Sequence, residues 1–290
     1  LKVVILGLGQ RPEVIQQAQQ LTATIEALAD VVLTDFSGET SLVNTNADLA
    51  IVIGGDGAIL RAGLQMGERQ IPVLGVNMGQ LGYLAGVTPD RLPRVFAEVC
   101  RGECKVVEHL MFDCRVLRGE QLLAQRLGLN EVTVVGGAPF SIVDLDLYVD
   151  SEWATTYSCD GLIISTPVGS TAHSLSAGGP ILRKSMDAFV IVPISPHTLT
   201  VRPVVDKAER VFEVTLRTPH EATWVVVDGR TLHQLTEQDR VVVRRAEPRF
   251  KMVEVRGHSY YRTLREKLGW SGAIPTKPEA MTEENDRGTQ

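Results

Sequence analysis

Apolar and polar positions follow two different rhythms along this chain. Over roughly the first hundred residues, short unbroken apolar runs at 3–6, 31–33, 49–53 and 73–76 read as strands buried on both faces. The segments between them, 12–28, 58–66 and 89–99, place apolar residues three and four apart among helix formers, and Pro12 suits a first helical turn. Strand alternating with helix predicts a parallel sheet covered on both sides, an α/β doubly wound domain. From about Cys104 the rhythm changes. Segments 112–117, 131–135, 142–149, 188–194, 211–216, 223–227 and 240–243 alternate with a period of two, punctuated by Gly, Asp and Pro. That half reads as a mainly β domain. The expected division is an α/β domain over 1–103 and a mainly β domain over 104–258. A C-terminal helix over 259–270 would then return to the first domain, ahead of a polar tail over 271–290 that reads as disordered.

At 290 residues the chain is long enough for two cores. It has no apolar stretch of membrane-spanning length and no basic-then-apolar amino end, so the expectation is a cytoplasmic protein. A net charge of −6 gives no general attraction for nucleic acid or an anionic membrane, and neither is expected as a partner. An anionic ligand would have to be held locally, by backbone N–H groups, a few basic side chains or a divalent cation. The four cysteines lack CxxC spacing and read as reduced thiols, while the six histidines form no zinc pattern, so no protein metal ligands are assigned.

Two small-residue stretches stand apart from core-building sequence. Gly54-Gly55-Asp56-Gly57 follows the run at 49–53 and opens a helical segment. The carboxyl end of a parallel strand is where ligands bind in such sheets, and a helix amino terminus suits phosphate. No GK[ST] follows, so this is not a Walker loop. Asp56 is repulsive to phosphate unless it holds a cation or takes a hydroxyl proton; the competing role is an N-cap. The second stretch, 160–180, holds six hydroxyl residues and four glycines, too many for a sandwich strand. Its hydroxyls at Ser165, Thr166, Ser170, Thr171 and Ser174 are expected to serve a ligand. Between the two lie Asn77 and Tyr83 in a strand-to-loop transition, and Asn130-Glu131 ahead of a strand. Asn77 and Tyr83 could meet a base or ribose; taken alone, a loop tyrosine is more often one packed over the domain interface. Asn130-Glu131 offers donors and acceptors to ribose hydroxyls or forms a polar strand edge. Asp228-Gly229 reads as a hairpin turn.

Taken together, the GGDG loop at 54–57, GxNxGxLGY at 75–83, Asn130-Glu131, the 160–180 block and Asp228-Gly229 resemble, in order, the NAD kinases that use ATP or polyphosphate. The long block is specific to that family, whereas GGDG alone is shared with lipid, sphingoid-base and 6-phosphofructo-kinases. The resemblance implies transfer of a terminal phosphoryl group from ATP or polyphosphate to the 2′-hydroxyl of the adenosine ribose of NAD, giving NADP. It implies Mg²⁺ or another divalent cation bound with the donor phosphates, and a homodimer or homotetramer. By the same resemblance Asp56 is the general base, and Gly55 and Gly57 let donor phosphates approach the backbone. Asn130 and Glu131 hold ribose hydroxyls, and Asp160 contacts the nicotinamide portion from a neighbouring subunit. Thr171, Ala172 and Ser176 line the NAD pocket, and Tyr83 stands near the adenine. Two positions depart from the pattern: Ala58 where threonine is usual, and His173 where the family has the tyrosine of TAY. The rival readings are a lipid or sphingoid-base kinase, which explains only the first loop, and a non-catalytic NAD(P) sensor on the same scaffold.

Overall fold

A computed structural model of the chain describes residues 1–7, 12–79, 82–137, 142–218, 222–255 and 260–269. The expected tail over 271–290 lies outside these residues. The opening sheet is built from β1 (Lys2–Gly7), β2 (Asp30–Asp35), β3 (Leu49–Ile53) and β4 (Val73–Val76), all parallel, in the order β2-β1-β3-β4. Between them run α1 (Pro12–Glu26) and α2 (Asp56–Met66), and α3 (Leu92–Cys100) follows. Strand side chains point alternately to the two faces, and each face has its own core. Val4, Leu6, Ala50 and Val52 pack with Ile59, Ala62 and Met66 of α2. Val3, Ile5, Ile51 and Ile53 pack with Ala18 and Ile25 of α1 and Val95 and Phe96 of α3. The unbroken apolar runs are explained by this double cover, and the doubly wound expectation holds.

The β half forms a sandwich. Its strands are β6 (Phe112–Arg118), β7 (Gln121–Gly128), β8 (Glu131–Gly136), β9 (Val143–Val149), β10 (Glu152–Cys159), β11 (Gly161–Ser165), β12 (Ala188–Ile194), β13 (Val204–Lys207), β14 (Phe212–Leu216), β15 (Thr223–Val227), β16 (Arg230–Leu235) and β17 (Asp239–Arg245). They pair antiparallel in two sheets, β10-β9-β14-β17-β6-β7 and β13-β12-β11-β8-β15-β16. A shared core fills the space between, where Phe189 of β12 meets Phe212 of β14 edge to face at 5.6 Å. Such ring pairs add about 0.5–1.5 kcal/mol beyond their burial.

The boundary near residue 104 is less simple than the rhythm suggests. β5 (Lys105–His109) and β18 (Phe250–Glu254), both inside the 104–258 span, extend the first sheet to β2-β1-β3-β4-β18-β5. Their register is antiparallel to each other, while β18 lies parallel to β4. Phe250 and Met252 enter the core beneath α2. The chain therefore leaves and re-enters the first layer through the sandwich. Among the described residues the last element is α5 (Tyr260–Leu268), inside the expected 259–270 helix.

Candidate active site

Asp56 is the first residue of α2, and Gly55 before it is the N-cap. The Asp56 carboxylate does not cap its helix. Its Oδ2 accepts the backbone N–H of Tyr83 at 2.7 Å, and its Oδ1 accepts those of Leu84 at 2.9 Å and Ala85 at 3.1 Å. One side chain thus ties the start of α2 to the loop after β4. A carboxylate offers about four acceptor directions, so one on Oδ2 remains. Gly82 packs directly against it: a Cβ there would lie 2.2 Å from Oδ1. The side chain of Lys184 donates to the Tyr83 carbonyl from the other direction.

The neighbouring glycines behave differently. At Gly55 and Gly57 an added Cβ would meet nothing within 4 Å. Open space there, beside helix N–H groups that have no partner inside the helix, is a phosphate-sized opportunity. We therefore expect Gly57→Ala to fold normally, with a melting temperature at or above wild type, since alanine gains up to about 1 kcal/mol in a helix. The same variant should lose at least tenfold in kcat/KM for the phosphoryl donor. Equal kinetics for the two proteins would show that no ligand uses this space. Ala58, by contrast, is buried in the core under α2, and its methyl faces the backbone of Gly54.

Asn130 and Glu131 sit on a shelf made by Asp228. The Asp228 carboxylate accepts the N–H groups of Leu129 (2.8 Å), Asn130 (2.8 Å) and Glu131 (3.0 Å), and its own N–H donates to the Glu131 carbonyl. Asp228 and Gly229 both adopt positive φ, 47° and 75°. That is the two-residue turn expected between β15 and β16. Sequence reasoning saw the turn and missed its carboxylate, because a hairpin dipeptide gives no sign of a partner nearly a hundred residues away.

Burial pushes the Glu131 carboxyl up to about 8, with the Asp228 charge adding to the effect. Burial also raises Asp228, but its three N–H donors oppose this and favour the ionised form. Glu131 is therefore the member that holds the proton. Its Oε2 is buried without a hydrogen-bond partner. A buried orphan of this kind normally costs about 1–3 kcal/mol, so it marks a place where a ligand group is wanted.

The hydroxyls of the 160–180 block are largely committed to the protein, which corrects the expectation that they serve a ligand. Ser165, Thr166 and Ser170 are fully buried. Thr166 Oγ1 donates to the Leu129 carbonyl at 2.5 Å and accepts the N–H groups of Val168 and Gly169. Ser165 Oγ reaches the Asn130 carbonyl, and Ser170 Oγ links Pro167 to Leu182. Thr171 Oγ1 donates to the Val168 carbonyl, and Ser174 is buried with its hydroxyl unpartnered. Gly169 is required by packing, since a Cβ would lie 2.2 Å from the Asn130 carbonyl oxygen. What the block offers outward is its next turn, where Thr171 and Ala172 are half-buried and His173 and Ser176, in α4 (His173–Ser176), are exposed. Asp160, half-buried, precedes β11.

One core gathers these loops. Ala58, Leu84, Ala85, Leu129 and Val168, each beside one of the motifs, belong to the same buried cluster. Gly55, Asp56, Tyr83, Asn130, Glu131 and the start of the 166–176 turn are thereby collected around it. Asn77 is the exception. It is buried, and its Oδ1 accepts the Gly79 N–H at 2.9 Å, which shapes the loop.

Comparison with known proteins gives the same grouping of motifs. Residues 8–104 match the ATP-NAD kinase N-terminal domain, and residues 129–255 match the ATP-NAD kinase C-terminal domain. The chain belongs to the ATP-NAD kinase family. It is 49% identical over 273 residues to the NAD kinase of Rhodopirellula baltica, covering 94% of this chain and 88% of that one. With the NAD kinase of Geobacter sulfurreducens it is 39% identical, covering 93% and 98%. Yeast NADH kinase, solved in complex with NADH, has the same fold at a TM-score of 0.85 and 23% identity, covering 95% of this chain and 90% of that chain. GGDG alone would have left a lipid kinase open; the match of both NAD kinase domains removes that reading.

Proposed function

We infer that this protein phosphorylates NAD to NADP, with ATP as donor. Family membership supports the reaction, and the observation that best fits it is the pairing of Asp56 with the Asn130-Glu131 shelf around one core. Asp56 keeps a single acceptor direction on Oδ2, enough for one ribose hydroxyl. Glu131 Oε2 has a vacant bond for another. The acceptor hydroxyl is held by Asp56 and the donor phosphates lie on the amino end of α2, beside Gly55 and Gly57. Phosphoryl transfer of this kind rests mainly on positioning and charge neutralisation. Tyr83, Thr171, Ala172, His173 and Ser176 border the dinucleotide, and Asp160 contacts its nicotinamide part.

A divalent cation fits these residues as a passenger on the donor. Among the described residues no three His, Cys, Asp or Glu side chains converge. Mg²⁺ is commonly held by substrate phosphates and water with few protein ligands, and the free direction on Asp56 goes to the acceptor hydroxyl, so the donor phosphates and water would hold the cation. When bound, Mg²⁺ would neutralise donor charge. Incubating the protein with NAD, ATP and Mg²⁺, and separately with polyphosphate, should yield NADP that disappears in excess chelator. NAD binding with no product from either donor would leave the protein a sensor.

Proton linkage gives a second check. Ribose hydroxyls donating to Glu131 favour its ionised form, so its pKa falls from about 8 when NAD binds. At pH 7 binding should release up to about one proton, and the release should fade above pH 9 or below pH 5. Calorimetry in two buffers of different ionisation enthalpy measures it, and Glu131→Gln should abolish it. Proton uptake at pH 7 would contradict the assignment.

The homo-oligomer is supported by apolar side chains left exposed on the β13-to-β16 sheet: Val204, Val205 and Trp224. Light scattering should give a dimer or tetramer mass. A cytoplasmic setting is supported by free thiols at all four cysteines. No helix among the described residues is long and apolar enough to cross a membrane.

A further inference from the structure

Lys184 belongs to none of the motifs, yet it reaches the centre of the site. It lies in the turn between the 160–180 block and β12, and its side chain donates to the carbonyl of Tyr83, a partner 101 residues away. That same residue's N–H is held by Asp56 Oδ2. Tyr83 is therefore held at both of its backbone polar groups, its N–H by a carboxylate from α2 and its carbonyl by an ammonium from the turn before β12. The peptide that carries this carbonyl donates its own N–H, that of Leu84, to Asp56 Oδ1. Asp56 and Lys184 also feel each other electrostatically: the Asp56 charge opposes the lowering of the Lys184 pKa. A positive charge drawn out of water is costly unless an opposite charge faces it.

We propose that Lys184 is a positioning residue for phosphoryl transfer, fixing the Asp56 carboxylate through the Tyr83–Leu84 backbone and holding its negative charge in place. The inference rests on the reading of Asp56 as the residue that meets the acceptor hydroxyl. It assigns to the sandwich a share in orienting a group that the α/β layer carries. With one acceptor direction left on Oδ2, a small rotation of the carboxylate would misdirect it. Reacting groups lose rate steeply with such misplacement.

The groups facing Lys184 come from three elements. Asp56 of α2 is the anion. Tyr83 of the loop after β4 has its phenol pushed above the ordinary range, by burial first and by Asp56 second. His109 of β5 is buried, its Nδ1 3.3 Å from the Lys184 carbonyl oxygen, and burial lowers its pKa, so it is neutral in the alkaline range. Neighbouring Arg183 is exposed. Burial brings the Lys184 ammonium down to about 8. The charge that holds Asp56 is thus present below that pH and lost above it.

The test measures kcat and KM for NAD across pH 6–10 in wild type, Lys184→Met, Lys184→Gln, Asp56→Asn and the Lys184→Met/Asp56→Asn double variant. Wild-type kcat should fall as pH passes about 8. Lys184→Met should lower kcat by roughly ten- to a hundredfold, move the KM for NAD less than threefold, and remove the alkaline fall. Lys184→Gln keeps a donor for the Tyr83 carbonyl without the charge. It should fold even where the methionine variant does not, and it should also lack the alkaline fall. The double variant should be no slower than Asp56→Asn alone. A Lys184→Met or Lys184→Gln enzyme with wild-type kcat and an intact alkaline fall overturns the proposal, as does an additive loss in the double variant. If Asp56→Asn itself retains wild-type turnover, the reading beneath it fails. If Asp56→Asn loses turnover while the Lys184 variants keep wild-type kcat, only the proposal about Lys184 fails.

Discussion

Asp56→Asn is expected to lower kcat by about 10²–10⁴ while shifting NAD affinity little, because the lost group acts on the hydroxyl in the transition state. The structure adds a second consequence. The carboxylate is also the fastening between α2 and residues 83–85. Asparagine keeps one oxygen and turns an NH₂ toward a backbone N–H, so at least one charge-assisted bond is replaced by a donor facing a donor. Such bonds are worth about 1.5–3 kcal/mol each. A drop of several degrees in melting temperature should accompany the loss of turnover. The two effects are separable. Gly82→Ala keeps the acid and both its oxygens but drives a methyl into the space of Oδ1, so it should cost rate by displacing the carboxylate rather than by removing it. If Asp56→Asn melts early yet turns over at the wild-type rate, the residue is a fastening and nothing more.

The second large effect is expected at Asp228, which touches no proposed ligand. Asp228→Ala removes the acceptor for three N–H groups, those of Leu129, Asn130 and Glu131. Leaving several partly buried donors unpaired should cost on the order of 3 kcal/mol or more. A further strain arises because alanine tolerates the observed φ of 47° less well than aspartate. Asp228→Asn keeps the turn, since asparagine accepts positive φ, but offers one acceptor oxygen instead of two. The alanine variant should raise the KM for NAD at least tenfold through disorder of the Asn130-Glu131 shelf. The asparagine variant should fall between it and wild type. Unchanged KM in both, measured with calorimetric melting as a control, would mean that the shelf does not hold the dinucleotide.

The two glycine substitutions and the two aspartates illustrate a division of labour. At Gly55 and Gly57 the missing side chain leaves room toward solvent, whereas at Gly82 and Gly169 it admits protein atoms. All four look alike in a motif. Only the neighbours distinguish a glycine that borders open space from one that makes room for a carboxylate or a carbonyl. The hydroxyls of Ser165, Thr166 and Ser170 give the same lesson: expected to face a ligand, they instead brace the turn that begins at residue 166.

Local sequence determined much of the fold. The runs at 49–53 and 73–76 coincide with β3 and β4, because a strand covered on both faces needs every position apolar. Strands with neither that signature nor a clear alternation were invisible. β7 reads Gln-Leu-Leu-Ala-Gln-Arg-Leu-Gly, a helix-like composition, and β10 is rich in Thr and Ser; both flank a sandwich sheet, where one neighbour and partial burial suffice. The re-entry of β18 into the first sheet was equally hidden, since its partner strands lie far back along the chain.

For the site, residue chemistry left alternatives open at Asp56 and at Asn130-Glu131. It was the order of the motifs along the chain, through its resemblance to the NAD kinases, that singled out Asp56, Gly55, Gly57, Asn130 and Glu131. What tertiary structure alone decided is how those groups are held and charged. Asp56 is aimed by three N–H groups from residues 83–85, Glu131 keeps its proton through burial beside Asp228, and Lys184 arrives from a turn outside every motif. Each depends on atoms brought together across 27 to 101 positions. Desolvation and hydrogen-bond geometry arise only once the chain has closed around them, so no local pattern could have announced them.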